Sequence, residues 1–429
     1  MKIQEHIEKA YQKLLETSAK TRVTLLHPQS KYRSLLLAKL LQEPSHITFY
    51  YAMGSDDIHL KAFLNNLSHR FANQYPAFGR RINMLPYEVH DAPQKHLDLL
   101  LRTFVQEIRE ISNGQPALIV FDEYDCSDEA DDIHRFIEEL VDVLPENARI
   151  IINSRTLPRL PWVAMVARQQ AALLLDDSLV QNNFYETNSN GSMRLQVYAL
   201  GPGRVLLDNN LIDTWEGHLP RLLFFFALDR HIVTRSAICH AFWPDLDIDQ
   251  AVNVFHVTKR RLHKALNLDI LVHHDTHYQI NPDLNVYYDV VEFVETLMQG
   301  RDESNPNRMD AWQQAVKLYK GPFLQGHNEP WIEKRRTAFS VGFVEALSNM
   351  AATHEAEDRK EQALKLYIQA INEDPTREDL HRQVMGLYTQ MGRRGEALVH
   401  YQQLERVMRE RNRALTPETL ALHQEIVSQ

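Results

Sequence analysis

The stretch Asp249 to Leu266, DQAVNVFHVTKRRLHKAL, sorts into two faces when wound as a helix at about 100° per residue. Ala251, Val254, Phe255, Thr258, Leu262, Ala265 and Leu266 form one apolar stripe, and Asn253, His256, Val257, Arg260, His263 and Lys264 lie opposite it. One face demands a core, so the segment folds only together with other elements. The other offers an amide, a guanidinium, an ammonium, two imidazoles and a branched apolar chain, groups that read base edges and phosphates in a major groove. An ordinary surface helix with solvated charge has the same outline.

The flanks narrow the choice. Leu219 to Leu228 (LPRLLFFFAL) reads as a short apolar helix, and Val233 to Trp243 as a second with Thr234 as N-cap and Pro244 as its stop. Asp245, Asp247 and Asp249 supply a turn and carboxylates at the start of the third helix. Ile270 to His273 and His277 to Ile280 read as two strands around His274, Asp275 and Thr276, a hairpin wing. Upstream, Met193 to Leu200 and Arg204 to Leu207 read as strands joined by Gly201-Pro202-Gly203. Helix, helix, recognition helix and wing is the winged form of helix-turn-helix. On that reading Asn253 pairs with adenine, Arg260 with guanine or a phosphate, and Val257 touches a thymine methyl. Lys259, Arg261 and Lys264 neutralise phosphates, and His256 and His263 complete the DNA-binding set.

Charge limits what this helix can do alone. With 47 Lys and Arg against 57 Asp and Glu, the formal charge of -10 argues against indiscriminate nucleic-acid binding. DNA affinity has to come from the cluster Lys259, Arg260, Arg261 and Lys264, so dimerisation or a partner is expected. The 429 residues suffice for about three domains, and only 14 glycines favour helices. No run of about eighteen apolar residues exists, and Met1 to Lys20 lacks a signal-peptide core, so a cytoplasmic chain with no membrane contact is expected. Cys126 and Cys239 imply no disulfide framework. His231, His240, His256, His263, His273, His274 and His277 crowd the central region, but their spacing matches no compact zinc motif and no metal is assigned.

In the amino-terminal part, Val23 to Leu26, Ala117 to Phe121 and Arg149 to Ile152 read as buried strands. They alternate with helices such as Leu35 to Leu41 and Ile133 to Leu144, the pattern of a parallel α/β nucleotide-binding sheet. The order resembles the STAND-type NTPase domains of MalT-like regulators. That resemblance places Ser30 and Tyr32 where the P-loop glycines belong, and Arg33 and Ser34 at the Lys and Ser/Thr positions. Asp122 and Glu123 then fall where a strand ends in two acids that hold a metal and orient water. A Tyr in place of glycine obstructs the backbone cradle that closes around phosphates, so the expectation is a degenerate domain without turnover. An ATP- and magnesium-dependent switch is the alternative, and a solvated acidic loop is the plain reading of Asp122 and Glu123.

Asp176 to Ser192 is polar and aperiodic and reads as a linker. Beyond residue 289 the chain matches itself at a lag of 34 residues: Ala363 over Ala397, Tyr367 over Tyr401, His354 over Tyr388, Ala370 over Leu404. This is the tetratricopeptide period, in which a small residue lets two helices approach and an aromatic fills the gap. Helices are also expected at Arg308 to Tyr319, Trp331 to Asn349 and Pro417 to Val427.

LQVYALGPGRVLLDNNLIDTW from Leu195, AFWPD from Ala241, NVFHVTKRRLHKAL, and YKGPFLQG with Trp331 and Arg335 beyond it resemble the antibiotic-pathway (SARP-type) regulators. That family combines an OmpR-like winged helix with a bacterial transcriptional activator domain. The chain departs from it at the wing, where His277 stands in the family's glycine position before Tyr278. The expectation is a multidomain, non-enzymatic regulator: a degenerate α/β P-loop-like domain over 1–178, a linker over 179–192, a winged helix over 193–288 and an all-α tetratricopeptide-like domain over 289–429. Its expected partners are double-stranded DNA, a second copy of the chain and RNA polymerase. A protein-interaction scaffold is the remaining alternative.

Overall fold

The computed structural model describes residues 2–43, 45–85, 93–181, 194–230 and 232–428. Contacts divide the chain into two compact units, Met1–Gln196 with Leu206–Val286, and Val197–Val205 with Tyr287–Gln429.

The first unit opens with an α/β domain. Its elements are α1 (Lys2–Lys20), β1 (Val23–Leu26), α2 (Arg33–Leu40), β2 (Ile47–Ala52), α3 (Leu60–Gln74) and α4 (Pro93–Ser112). They continue with β3 (Ala117–Asp122), α5 (Asp131–Val143), β4 (Ala148–Asn153), α6 (Trp162–Ala167), β5 (Ala171–Leu175) and β6 (Ser178–Leu179). The sheet order is β2-β3-β4-β1-β5-β6, parallel except for β6. Both faces are covered, which is why the strands read as continuous apolar runs. On one face Ala10, Tyr11 and Leu14 of α1 and Leu36, Leu37 and Leu40 of α2 pack on Leu26, Leu118, Val120 and Ile151. A chain of aromatic contacts links Phe49, Phe71, Phe78, Phe104 and Phe136.

Several strands escaped the sequence reading, β2 and β5 among them. β2 (ITFYYA) is a partly exposed edge strand, so its apolar run is broken. β5 (AALLL) is made of strong helix formers, and burial beside β1 overrides that propensity. Part of the expected linker is also strand, since β6 pairs antiparallel with β5; residues 182–193 lie outside the described residues.

Then follow β7 (Arg194–Tyr198), β8 (Arg204–Leu207), β9 (Asn210–Leu211), α7 (Leu219–Asp229), β10 (Val233–Thr234), α8 (Arg235–Phe242) and α9 (Ile248–Leu266). The hairpin β11 (Leu271–His274) and β12 (His277–Ile280) joins β10 in a three-stranded sheet, and β13 (Asn285–Tyr288) leads onward. Val233 was expected within the second helix and Thr234 as its N-cap. Both pair with the wing, at Tyr278 and His277, as β-branched residues favour. Thr234 still caps α8 by accepting from the Ala237 amide at 3.0 Å.

The second unit is helical: α10 (Asp289–Arg301), α11 (Arg308–Leu318), α12 (Pro330–Ala356), α13 (Lys360–Glu373), α14 (Glu378–Gln390), α15 (Arg394–Glu410) and α16 (Pro417–Ser428). The residues paired at the 34-residue lag are its packing positions. Ala363, Ala397, Ala370 and Leu404 are fully buried, and Tyr367 and Tyr401 nearly so. Within α14 and α15, His381 Nε2 lies 3.2 Å from the Pro375 carbonyl and Nδ1 lies 2.9 Å from His400 Nε2. A carbonyl only accepts, so His381 donates through Nε2 and receives its second bond from His400.

Two glycines of this unit should respond oppositely to alanine. A Cβ on Gly300 would lie 2.5 Å from the Trp312 ring, so Gly300→Ala should destabilise by about 1–3 kcal/mol. Gly386 sits in α14 with open space, so Gly386→Ala should stabilise by roughly 0.5–1 kcal/mol. Denaturant midpoints of the two variants check both signs. Burial, and His381 beside it, lower the His400 pKa from the free value of 6.5 to about 4. The unfolded chain therefore binds the extra proton first, and stability should fall as pH drops from 6.5 towards 4, less steeply in His400→Gln.

Candidate nucleic-acid interface

Burial decides which face of α9 is offered. Ala251, Phe255, Thr258, Leu262 and Leu266 are buried, and the Phe255 ring meets Tyr278 of the wing edge-on at 5.1 Å. Asp247 caps the helix, accepting from the amides of Asp249 and Gln250 at 3.1 and 3.0 Å. Asn267 ends it in the left-handed conformation (φ 52°), a residue type that tolerates this. Asn253, His256, Val257, Arg260, Arg261, His263 and Lys264 are thereby left exposed on one side.

Their surroundings differ. Val257 is 46% exposed, a branched apolar side chain left in water. Arg261 and Lys264 both pair with Glu216, Arg261 at 3.9 Å. His263 faces the end of its own helix, with Nδ1 3.0 Å from the Leu268 carbonyl and 3.1 Å from Asp269. Lys259 is half-buried with its ammonium 5.0 Å from the centre of the Tyr278 ring, and burial lowers its pKa. The wing turns at Asp275 (φ 52°), which takes the left-handed position in a hairpin that has no glycine. His274 and His277 stack across that turn, and His273 packs on Tyr278. His231 lies outside the described residues.

The α/β domain of the same unit sits against the side of the winged helix. Glu138 of α5 pairs with Arg230 at 2.8 Å, and Arg230 also donates to the Arg159 carbonyl at 3.1 Å. Asp131 binds Arg159 at 2.6 Å and accepts from Thr234, the cap of α8. Glu129 accepts from Thr276 at the wing tip at 3.3 Å. Arg135 donates to His240 Nε2, and burial together with that guanidinium lowers the His240 pKa. Sequence reasoning missed these partners, because residues 92 and 103 positions apart carry no local signal of their pairing.

The P-loop positions form a loop closed on itself. Ser30 donates to the Asp176 carboxylate at 2.8 Å, and the Lys31 amide donates to the same oxygen at 3.0 Å. Tyr32 holds φ −112°, and Arg33 turns back onto the carbonyls of His27 and Pro28. Ser34 is exposed. Asp122 accepts from the Tyr50 hydroxyl, the Asn153 amide and the Glu123 backbone at 2.7–2.9 Å. Burial, followed by that Asp122 contact, pushes the Tyr50 hydroxyl up to about 12. The register sets Leu26 beside Asn153 and Phe121 beside Ile152, so the loop after β1 and the acid ending β3 flank the end of β4. Glu123, Asp125 and Cys126 bring ligand-type atoms within 4.8 Å of one another. Arg155 pairs with Asp125 at 2.7 Å and Glu123 at 3.6 Å, so a guanidinium already answers their charge.

Residues 288–427 match the family model of the bacterial transcriptional activator domain, a span nearly coincident with the helical unit. Residues 9–155 match that of nephrocystin 3, N-terminal, a STAND-like domain. No curated protein matches the chain. Among solved structures it is similar to Mycobacterium tuberculosis EmbR in complex with a low-affinity phosphopeptide, at 21% identity and a TM-score of 0.47. That match covers 56% of this chain and 66% of EmbR, just under two thirds. Another is the Signal Transduction ATPase with Numerous Domains protein with a tetratricopeptide repeat sensor from Pyrococcus horikoshii, at 12% identity and a TM-score of 0.25, covering 97% and 70%. The chain thus joins a STAND-like amino-terminal domain to a domain of bacterial transcriptional activators, and no helix among the described residues is long and apolar enough to cross a membrane.

Glu138→Ala leaves the half-buried Arg230 with the Arg159 carbonyl and the more distant Asp229 carboxylate, 4.0 Å away, as its remaining partners. It should lower the stability of the first unit by about 2 kcal/mol in denaturant unfolding.

Proposed function

We propose that the chain is a DNA-binding transcription regulator whose α9 enters the major groove of double-stranded operator DNA. The observation that carries this reading is the helix's division, with an apolar face buried against α7, α8 and Tyr278 of the wing and an amide, cations and an apolar side chain left exposed opposite. Arg260 is the base- or phosphate-reading cation, Asn253 the adenine partner and Val257 the thymine-methyl contact. Glu216 competes with phosphates for Arg261 and Lys264. The helical domain serves self-association or contact with RNA polymerase, as expected of a bacterial transcriptional activator domain.

In this reading the amino-terminal domain regulates by docking, without ATP turnover. Support comes from the loop after β1, where Asp176 engages a hydroxyl and an amide that would otherwise face a phosphate, and from Arg33, which faces carbonyls. Its acidic residues Glu129, Asp131 and Glu138 hold the wing tip, the α8 cap and Arg230, so their release would change how the winged helix is presented. An ATP-driven switch is the second reading, favoured by Asp122 standing one strand away from the loop.

Fluorescence anisotropy with the chain's own upstream DNA and a scrambled control, across salt and with or without ATP and magnesium, separates the readings. Selective binding that weakens steeply with salt and ignores ATP is expected. Selectivity only with ATP would favour the switch, and no DNA binding under any condition would sink the proposal. Arg260→Ala should cost about 1–3 kcal/mol of binding. Glu216→Gln, which frees two cations, should strengthen it, and Glu138→Arg should strengthen it by undocking α5.

A further inference from the structure

The helical unit holds a cavity of about 220 Å³ that the DNA-binding reading does not use. Its floor is Asp289, its walls include Tyr198, Leu200 and Leu318, and Arg204, Lys317 and Lys320 line it as well. The walls are tied down. Asp289 accepts from the amides of Ala199 and Leu200 at 2.8 and 3.0 Å. The Leu324 and Gln325 amides donate to the carbonyls of Ala199 and Gly201 at 2.9 and 2.8 Å. Gly201 (φ 139°) and Gly321 lie in contact, a Cβ on Gly321 falling at an ordinary van der Waals distance of 3.7 Å from the Gly201 Cα. This joins the Gly-Pro-Gly turn to the Lys-Gly-Pro-Phe segment, a pairing between motifs 120 residues apart in sequence.

The charge around the cavity is unusual for this unit. Arg301, Arg336, Arg377 and Arg393 each pair with a carboxylate. Arg204, Lys317 and Lys320 are exposed and have no acidic partner among the described residues. Asp289 offsets them only in part near neutral pH: burial pushes its carboxyl up to about 7, against the backbone amides that pull it down. Glu292 is engaged by the Tyr287 hydroxyl and by Gln314. Three unpaired cations thus surround an apolar interior, the arrangement of a small-molecule site with a few orienting polar groups. Its volume is below the roughly 300–1,000 Å³ of drug-sized sites, which limits the occupant to about one ring or a short acyl chain.

We propose that this cavity binds a small organic anion, its carboxylate or phosphate held by Arg204, Lys317 and Lys320 and its apolar body set against Tyr198, Leu200 and Leu318. Because α11 supplies Lys317, the segment after it Lys320 and the start of β8 Arg204, an occupant would couple these elements to each other.

The test is isothermal titration of the full chain with benzoate, phenyl phosphate and inorganic phosphate, in the native protein and in Lys317→Ala/Lys320→Ala. Benzoate or phenyl phosphate should bind at one site per chain and weaken about tenfold or more in the double variant, as loss of charge-assisted hydrogen bonds implies. Benzoate winning assigns a carboxylate, and phenyl phosphate a phosphate ester. Inorganic phosphate binding as tightly as phenyl phosphate would overturn the role of the apolar wall. No saturable binding by either aromatic anion, or binding that ignores the substitutions, would overturn the site. So would absent ligand binding together with a loss of DNA affinity in the double variant, which would make the lysines backbone contacts to DNA. Circular dichroism of the variant, whose two substitutions are at exposed positions, controls for folding.

Discussion

The burial of the apolar face of α9, centred on Phe255, against α7, α8 and Tyr278 is the interaction on which the presentation of the helix depends. Removing a phenylalanine side chain from water is worth about 1.5–3 kcal/mol, and a rotation of the helix by even one residue would forfeit it. That penalty fixes which side of α9 faces solvent. The exposed cations and amide therefore gain their arrangement from an apolar contact they take no part in. The Asp247 cap and the left-handed Asn267 then set where the helix starts and stops.

The amino-terminal domain applies the same logic to an anion site. A backbone cradle for phosphates needs free amides, a positive φ and a cation aimed inward. Here the Lys31 amide and Ser30 hydroxyl are taken by Asp176, Tyr32 keeps a negative φ, and Arg33 is turned to carbonyls. A carboxylate from the chain itself thus occupies donors that a nucleotide would have to win back. Of these groups only Tyr32 packs against the core that α1 and α2 form on the sheet, and it does so as an apolar ring, so the architecture does not depend on an anion in the loop.

What could be read in the sequence follows from the range of each interaction. The helix α9, the wing strands and the 34-residue pairing of Ala363 with Ala397 are periodic, local patterns, and their elements lie where the pattern puts them. β5 was hidden because its alanines and leucines favour helix until neighbouring strands claim them. Within the candidate interface, exposure of Asn253, His256, Val257 and Arg260 was legible from the wheel. The stacking of Lys259 on Tyr278, the engagement of His263 with the helix end and the grip of Glu216 on two cations were not, since each depends on a partner that periodicity does not place.

Net charge and local charge also act at different ranges, which reconciles an acidic chain with the proposed DNA surface. At about 0.15 M salt the Debye length is about 8 Å, so carboxylates scattered over distant domains are largely screened from α9. Acids that touch the winged helix are not screened in this way. Glu138 and Asp131 lie within direct contact of Arg230 and Thr234, and Glu129 reaches the wing tip. On the proposed reading these few carboxylates, rather than the overall excess of acid, oppose DNA electrostatically. A domain held by such contacts can be displaced by a competing polyanion, because each phosphate that approaches weakens the attraction that keeps α5 in place.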